Sequence, residues 1–218
     1  MSPEPTISDL AVSADLLVER IALALPQQGW CVIPDALPAP LVHALTAQVQ
    51  EAAMPLRVAG IGRGQEHQVA PTIRSDAIHW IAGSTPAEQA WLQWAEALRL
   101  FLNRRLFMGL DSFESHFAHY APGAFYSRHR DAFRAAPQSG NRVLSVVAYL
   151  NSHWQPQDGG ALVLYDAATE RPVLEVLPHS ATLAVFLSAD VPHEVRPARR
   201  DRYSIAGWYR ERAGSGIS

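Results

Sequence analysis

The stretch His119 to Asp131, HYAPGAFYSRHRD, ends with an imidazole and a carboxylate two residues apart. On a β-strand, side chains at i and i+2 share a face, so His129 and Asp131 would point together and Arg130 away. One further imidazole completes a 2-His-1-carboxylate set. Such a set holds three positions of an octahedral Fe(II) and leaves three open for substrates. Spacing alone does not decide the matter, because nine His and ten Asp in 218 residues give about 0.4 such pairs by chance.

The third ligand must come from the remaining histidines. His43 falls on the exposed side of a helical pattern and His67 in a Gly-rich loop, while His79, His116, His119, His153 and His179 have no ligand-like neighbour. His193 follows Asp190-Val191-Pro192 and opens a strand 62 residues after Asp131. Metal sites in β-rich folds take ligands from strands distant in sequence that face one another, which selects His193. A second chemistry-bearing residue opens the strand Arg202–Tyr209. One face of that strand carries Arg202, Ser204, Ala206 and Trp208. An inward arginine followed by two small residues leaves room for a small acid, and a guanidinium takes a carboxylate through two parallel hydrogen bonds. Tyr126 reads as packing, and Gly159-Gly160 as a turn.

Elements must hold these residues in place. Ser13 can cap a helix over Ala14–Leu25, with Leu16, Leu17, Arg20, Ile21 and Ala24 at helical spacing, stopped by Pro26 and Gly29. Residues 1–12 read as a loose tail and 211–218 as frayed. Trp30–Ile33 is a short strand, and Pro38–Ala53 a second amphipathic helix. A Gly-rich loop at 55–71 precedes a strand over Ile73–Ile81. Pro86 suits the first turn of a long helix over Ala87–Phe107. Beyond Gly109, eight β-rich segments alternate with turns: Phe113–Tyr120, Phe125–His129, Val143–Leu150, Ala161–Tyr165, Val173–Leu177, Ala181–Leu187, Glu194–Arg196 and Tyr203–Tyr209. The expected fold is α+β, a double-stranded β-helix (jelly roll) with supporting N-terminal helices. With no repeat and no linker, 1–218 reads as a single domain: 1–110 mainly helical support, 111–210 the jelly-roll core.

Composition narrows the function. A hydrophobic fraction of 48% with 18% charged residues fits an ordinary globular chain, and a net charge of −3 gives no reason to expect nucleic acid or an anionic membrane as partner. All 18 basic residues are Arg, which excludes Schiff-base and P-loop lysines. Cys31 stands alone, so no internal disulfide forms and a reducing, cytoplasmic setting is expected. No signal peptide and no spanning apolar run are read from the sequence.

Five ordered motifs then coincide: Tyr120-X-X-Gly123-X-X-Tyr126-X-X-His129-X-Asp131, Tyr149-Leu150-Asn151, Gly159-Gly160-X-Leu162, Pro192-His193-Glu194-Val195, and Arg202-Tyr203-X-Ile205-X-X-Trp208. Together they resemble the prolyl-hydroxylase class of Fe(II)/2-oxoglutarate dioxygenases, in particular the hypoxia-inducible-factor prolyl hydroxylases and their bacterial relatives. The similarity spans about residues 72–210, since IRSDAIHWI also resembles a strand of that subfamily. It implies that His129, Asp131 and His193 bind Fe(II) and that Arg202 holds the distal carboxylate of 2-oxoglutarate. It also implies that Tyr149 hydrogen-bonds that carboxylate, that Tyr120 lies in the active site and that Trp208 walls the substrate pocket. Asp76 and Arg142 match a pair that links a mobile loop strand to the core, so an Asp76–Arg142 salt bridge holding segment 55–71 near the metal is expected. Ala206 departs from the pattern: those hydroxylases often carry a hydroxyl residue there, so one hydrogen bond to cosubstrate or water would be missing.

The implied activity is hydroxylation of a prolyl residue in a protein or peptide, consuming O2 and releasing succinate and CO2, with ascorbate a candidate reductant. The alternatives are hydroxylation of a free small molecule such as an amino acid, and a non-catalytic jelly-roll binding module. Neither the substrate nor the oligomeric state is legible in the sequence.

Overall fold

The computed structural model describes residues 7–50, 54–60, 72–132 and 141–212, and for 7–15 the backbone alone. Three helices come first in each local stretch: α1 (Ile7–Gln28), α2 (Ala39–Gln50) and α3 (Pro86–Leu106). Strands β1 (Trp30–Ile33), β2 (Arg57–Val58) and β3 (Ala77–Trp80) are interleaved with them. Eight strands follow: β4 (Leu110–Tyr120), β5 (Tyr126–His129), β6 (Arg142–Tyr149), β7 (Leu162–Tyr165), β8 (Pro172–Val176), β9 (Leu183–Leu187), β10 (His193–Val195) and β11 (Arg202–Glu211). They form two antiparallel sheets. The larger has the order β1-β9-β6-β11-β4-β3-β2 and the smaller β5-β10-β7-β8.

Side-chain alternation on the central strands divides the apolar residues between two layers. On β6, Leu144, Val146 and Ala148 face the helices, where they join Ile21 and Leu25 of α1, Leu45 and Val49 of α2, and Trp91, Leu98 and Leu102 of α3. The alternate residue Tyr149 lies between the sheets with Tyr120, Leu162, Leu164, Phe186 and Val195. The helices therefore back the large sheet, and the space between the sheets is left for the site. Jelly-roll architecture with supporting helices is what the eight β-rich segments predict.

Some local expectations need correction. α1 begins at Ile7, so Ser13 lies inside the helix instead of capping it, and part of the supposed tail is helical. Pro26 does not stop the helix. It removes one N–H in the last turn, and the chain turns instead at Gly29, whose N–H reaches Leu25 O at 2.9 Å with φ of 80°. Leu16 is exposed, because the buried face of α1 runs through Val18, Ile21 and Leu25. α3 starts as expected, with Pro86 in the first turn and Thr85 Oγ1 accepting from Glu88 N at 3.2 Å.

The run Ile73–Ile81 divides in two. Only Ala77–Trp80 is β3, paired with His116–His119 of β4. The preceding residues cross to the smaller sheet, where Ser127 N bonds Ile73 O at 2.8 Å and Ser75 N bonds Phe125 O at 3.0 Å. Most of the Gly-rich loop at 55–71, residues 61–71, lies outside the described residues. Among the described residues, no helix is long and apolar enough to cross a membrane.

Candidate active site

The two histidines sit on neighbouring strands. His129 ends β5, His193 opens β10, and they are direct cross-strand partners. They are adjacent within one sheet, where the sequence suggested facing strands. Asp131 lies two residues past His129, after β5 has ended. Its position is set by the large sheet, because Asp131 N–H bonds Ser188 O, just beyond β9, at 3.1 Å. The result joins three groups: His129 Nε2 is 3.5 Å from Asp131 Oδ1, and His193 Nε2 is 3.5 Å from Asp131 Oδ2. All three ligand atoms lie within 4.8 Å of one another. Arg130, between them and past the end of β5, is exposed.

Hydrogen bonding decides which ring nitrogens are free. His129 Nδ1 lies 2.8 Å from Ser127 O and His193 Nδ1 lies 3.1 Å from Val191 O. A carbonyl can only accept, so each Nδ1 carries a proton and each Nε2 is the ring nitrogen turned toward Asp131. Burial, reinforced by His129, holds the His193 imidazole down to about 4 against the opposing pull of Asp131, so it is neutral near pH 7. Burial pushes Asp131 up, but His193 and His129 beside it outweigh that and leave its carboxyl well below the usual range. Two imidazoles and one carboxylate with converging ligand atoms fit a divalent metal with three further positions free.

Sequence reasoning missed the support for the carboxylate. Ser145 Oγ on β6 donates to Asp131 Oδ2 at 2.7 Å and lies 2.8 Å from Ser188 Oγ, both serines being buried. The signal was present: Ser145 lies four residues before Tyr149 on β6, and so on the same face.

Across the cavity, Arg202 is 1% exposed. Its Nε donates to Gly160 O at 2.9 Å and its Nη1 to Ser204 Oγ at 3.2 Å, and its guanidinium lies over the rings of Tyr120 and Tyr149. Among the described residues, no carboxylate pairs with it. Among the described residues the buried Tyr149 hydroxyl has no hydrogen-bond partner, and burial pushes it up to about 12, so it is a neutral donor. A buried cation and an unused hydroxyl side by side are what an incoming carboxylate requires. Gly160 permits this approach: a Cβ there would lie 3.2 Å from Arg202 Cδ and 2.9 Å from Ala198 Cβ. Tyr120, Ala206 and Trp208 line the same cavity as Arg202, the two histidines and Asp131.

The expected Asp76–Arg142 bridge is not formed. Asp76 is 1% exposed and holds Arg74 through two hydrogen bonds, of 2.5 and 2.8 Å. Arg142 instead bonds Glu114 at 2.8 Å and lies 3.6 Å over the Trp208 ring. Register explains the exchange. Ala77 is opposite His119, near one end of β4, whereas Arg142 is opposite Arg210, which pairs with Ser112 near the other end. Arg74 in turn lies 4.7 Å over the Tyr126 ring, and Tyr126 stacks on His129 with centroids 3.6 Å apart. Tyr126, read from sequence as packing alone, therefore touches the candidate ligand.

Comparison with known proteins agrees with this geometry. The profile of the 2OG-Fe(II) oxygenase superfamily matches residues 115–210. The crystal structure of a Pseudomonas putida prolyl-4-hydroxylase superposes with a TM-score of 0.79 at 41% identity, covering 89% of this chain and 100% of that one. A prolyl hydroxylase from Trichoplax adhaerens, solved in complex with a hypoxia inducible factor oxygen degradation domain peptide fragment, superposes with a TM-score of 0.77 at 26% identity, covering 95% and 94% of the two chains. The hypoxia-inducible factor prolyl hydroxylase of Caenorhabditis elegans is 28% identical over 156 residues, 65% of this chain; the chain spans 20% of that protein's length. On the full-length match to the Pseudomonas enzyme and the superfamily profile across the site, the chain belongs to the 2OG-Fe(II) oxygenase superfamily, in its prolyl-hydroxylase class.

Proposed function

We propose that this protein hydroxylates a prolyl residue of a protein or peptide, using Fe(II), 2-oxoglutarate and O2 and releasing succinate and CO2. The observation that carries the reading is the buried Arg202 guanidinium, without a carboxylate partner among the described residues, in the same cavity as the ligand atoms of His129, Asp131 and His193. His129, Asp131 and His193 would hold the metal. Arg202 and the Tyr149 hydroxyl would take the distal carboxylate of 2-oxoglutarate. When bound, metal and cosubstrate supply the oxidising chemistry, in which one O2 oxygen decarboxylates 2-oxoglutarate to succinate and the other enters a substrate C–H bond.

The chain's own residues position and exclude. The two Nδ1–H···O=C bonds fix the imidazoles, and the Ser145–Ser188 pair fixes the carboxylate. Trp208, 6% exposed and capped by Arg142, walls the cavity beside Asp131. The substrate class is supported by the likeness to two solved prolyl hydroxylases, one of them with a bound peptide.

The test is mass spectrometry of a host lysate incubated with the protein, Fe(II), 2-oxoglutarate and ascorbate. Proline-borne +16 Da products are expected with the native protein and none with His193→Ala. Full succinate production by His193→Ala would remove His193 from the site, and products confined to free metabolites would overturn the peptide reading.

A further inference from the structure

Arg202 shares the notch of Gly160 with an indole. A Cβ built on Gly160 would lie 3.2 Å from Arg202 Cδ and 3.1 Å from Trp154 Cζ2, so the arginine stem and the indole meet where glycine leaves space. Trp154 belongs to the connection between β6 and β7 and is 2% exposed. Its Nε1–H donates to Gly159 O at 3.0 Å.

That single bond acts on a sensitive place. Gly159 and Gly160 have φ of 68° and 69°, and two glycines in sequence have more conformational freedom than any other pair. Gly159 O and Gly160 N belong to one peptide unit. Trp154 holds its oxygen, and Pro197 O accepts from its N–H at 3.0 Å, so the unit is pinned at both ends. The next carbonyl, Gly160 O, accepts from Arg202 Nε at 2.9 Å. Neighbouring bonds brace the same turn: Arg196 N to Ala161 O at 2.9 Å, Arg199 N to Asp158 O at 2.8 Å and Gln155 N to Asp158 Oδ2 at 2.9 Å. Arg200 lies 5.1 Å over the Trp154 ring.

A guanidinium gives a carboxylate two parallel bonds only when the plane of its fork is held. We propose that Trp154 is a positioning residue for the cosubstrate: its indole N–H fixes the Gly159–Gly160 peptide, and the Gly160 carbonyl then sets the plane of Arg202 toward the distal carboxylate of 2-oxoglutarate. The inference rests on the 2-oxoglutarate reading of Arg202. Among the described residues Trp154 does not line the cavity, so its influence falls on diacid affinity and not on the metal.

The test is a double-mutant cycle, with 2-oxoglutarate titrated calorimetrically into the Mn(II)-loaded protein. Trp154→Phe keeps a ring and removes the donor. It should weaken 2-oxoglutarate about fivefold and leave Mn(II) affinity unchanged. In Arg202→Lys, which has no Nε donor for Gly160 O, the same change should cost less than about 1.5-fold. A residue that only fills space would lower urea stability equally in both backgrounds without this coupling. No loss of affinity in Trp154→Phe, or an equal loss in both backgrounds, would overturn the proposal. The native protein gives a second measurement that does not depend on the variant folding. Coupling is reciprocal, so bound 2-oxoglutarate must hold the turn that holds Arg202. Amide exchange at Gly159 and Gly160 should slow about threefold or more on saturation with 2-oxoglutarate, beyond any effect of Mn(II) alone. Unaltered exchange would also overturn the proposal. No binding of 2-oxoglutarate by the native Mn(II)-loaded protein would instead overturn the cosubstrate reading beneath it.

Discussion

Arg202 and His116 are buried in opposite electrical states, and each makes a separate demand on the protein. Arg202 keeps its charge with a carbonyl and a hydroxyl as hydrogen-bond partners and no carboxylate among the described residues. Arg202→Lys preserves the charge but loses the planar fork. It should raise the Michaelis constant for 2-oxoglutarate about tenfold or more, read as succinate formation, with Mn(II) binding by calorimetry retained. An unchanged constant would move the role to another arginine, Arg196 or Arg200 first. His116 is held neutral. Its value near 4 in the folded protein lies below the ~6.5 of an unfolded histidine. Above pH 6.5 neither state binds the proton, so there is no contribution. As pH falls from 6.5 toward 4, only the unfolded chain takes it up, and stability is lost. Urea unfolding should show His116 removing about 2 kcal/mol between pH 7.5 and 5.0, a loss absent from His116→Gln.

At the scale of elements, the notable piece is the segment Ile73–Asp76 between the Gly-rich loop and β3. It leaves the large sheet and hydrogen-bonds β5, the strand that ends in His129. Arg74 spans the junction, bonded to Asp76 and lying over Tyr126, which stacks on His129. Burial changes what the pair is worth. An exposed Asp76 bridge would contribute at most ~1 kcal/mol, but here the side chains are 11% and 0% exposed. Removing the acid strands a buried guanidinium. Asp76→Ala should therefore destabilise the protein by about 3 kcal/mol, and Asp76→Asn by less, in denaturant unfolding. A change below about 0.5 kcal/mol for Asp76→Ala would show that water reaches Arg74 freely.

For the whole molecule, the candidate metal site is a seam between the sheets. The small sheet supplies both histidines, while Asp131 is hydrogen-bonded to Ser145 of the large one and to Ser188 just beyond its strand β9. A metal bound there ties the two layers together in the folded state only. With Mn(II) in place of Fe(II), to avoid oxidation, a concentration 100 times the dissociation constant should raise unfolding free energy by about 2.7 kcal/mol. The increment should vanish with chelator and be absent from His193→Ala. An equal increment in His193→Ala would locate the ion elsewhere.

Periodicity by itself determined much of this protein. The eight β-rich segments after Gly109 all appear as strands, and the inward face Arg202, Ser204, Ala206 and Trp208 lines the cavity, because a period of two is local and survives any packing. The His129–Asp131 spacing was legible for the same reason, although Asp131 achieves its direction through Ser188 and not through strand geometry. Tertiary structure alone decided what depends on register between distant strands. It set His193 beside His129, brought Ser145 and Ser188 under Asp131, and placed Trp80 opposite His116. It also gave Asp76 to Arg74 instead of Arg142, since a charge pairs with the partner its row presents, and rows are fixed only when the sheet forms.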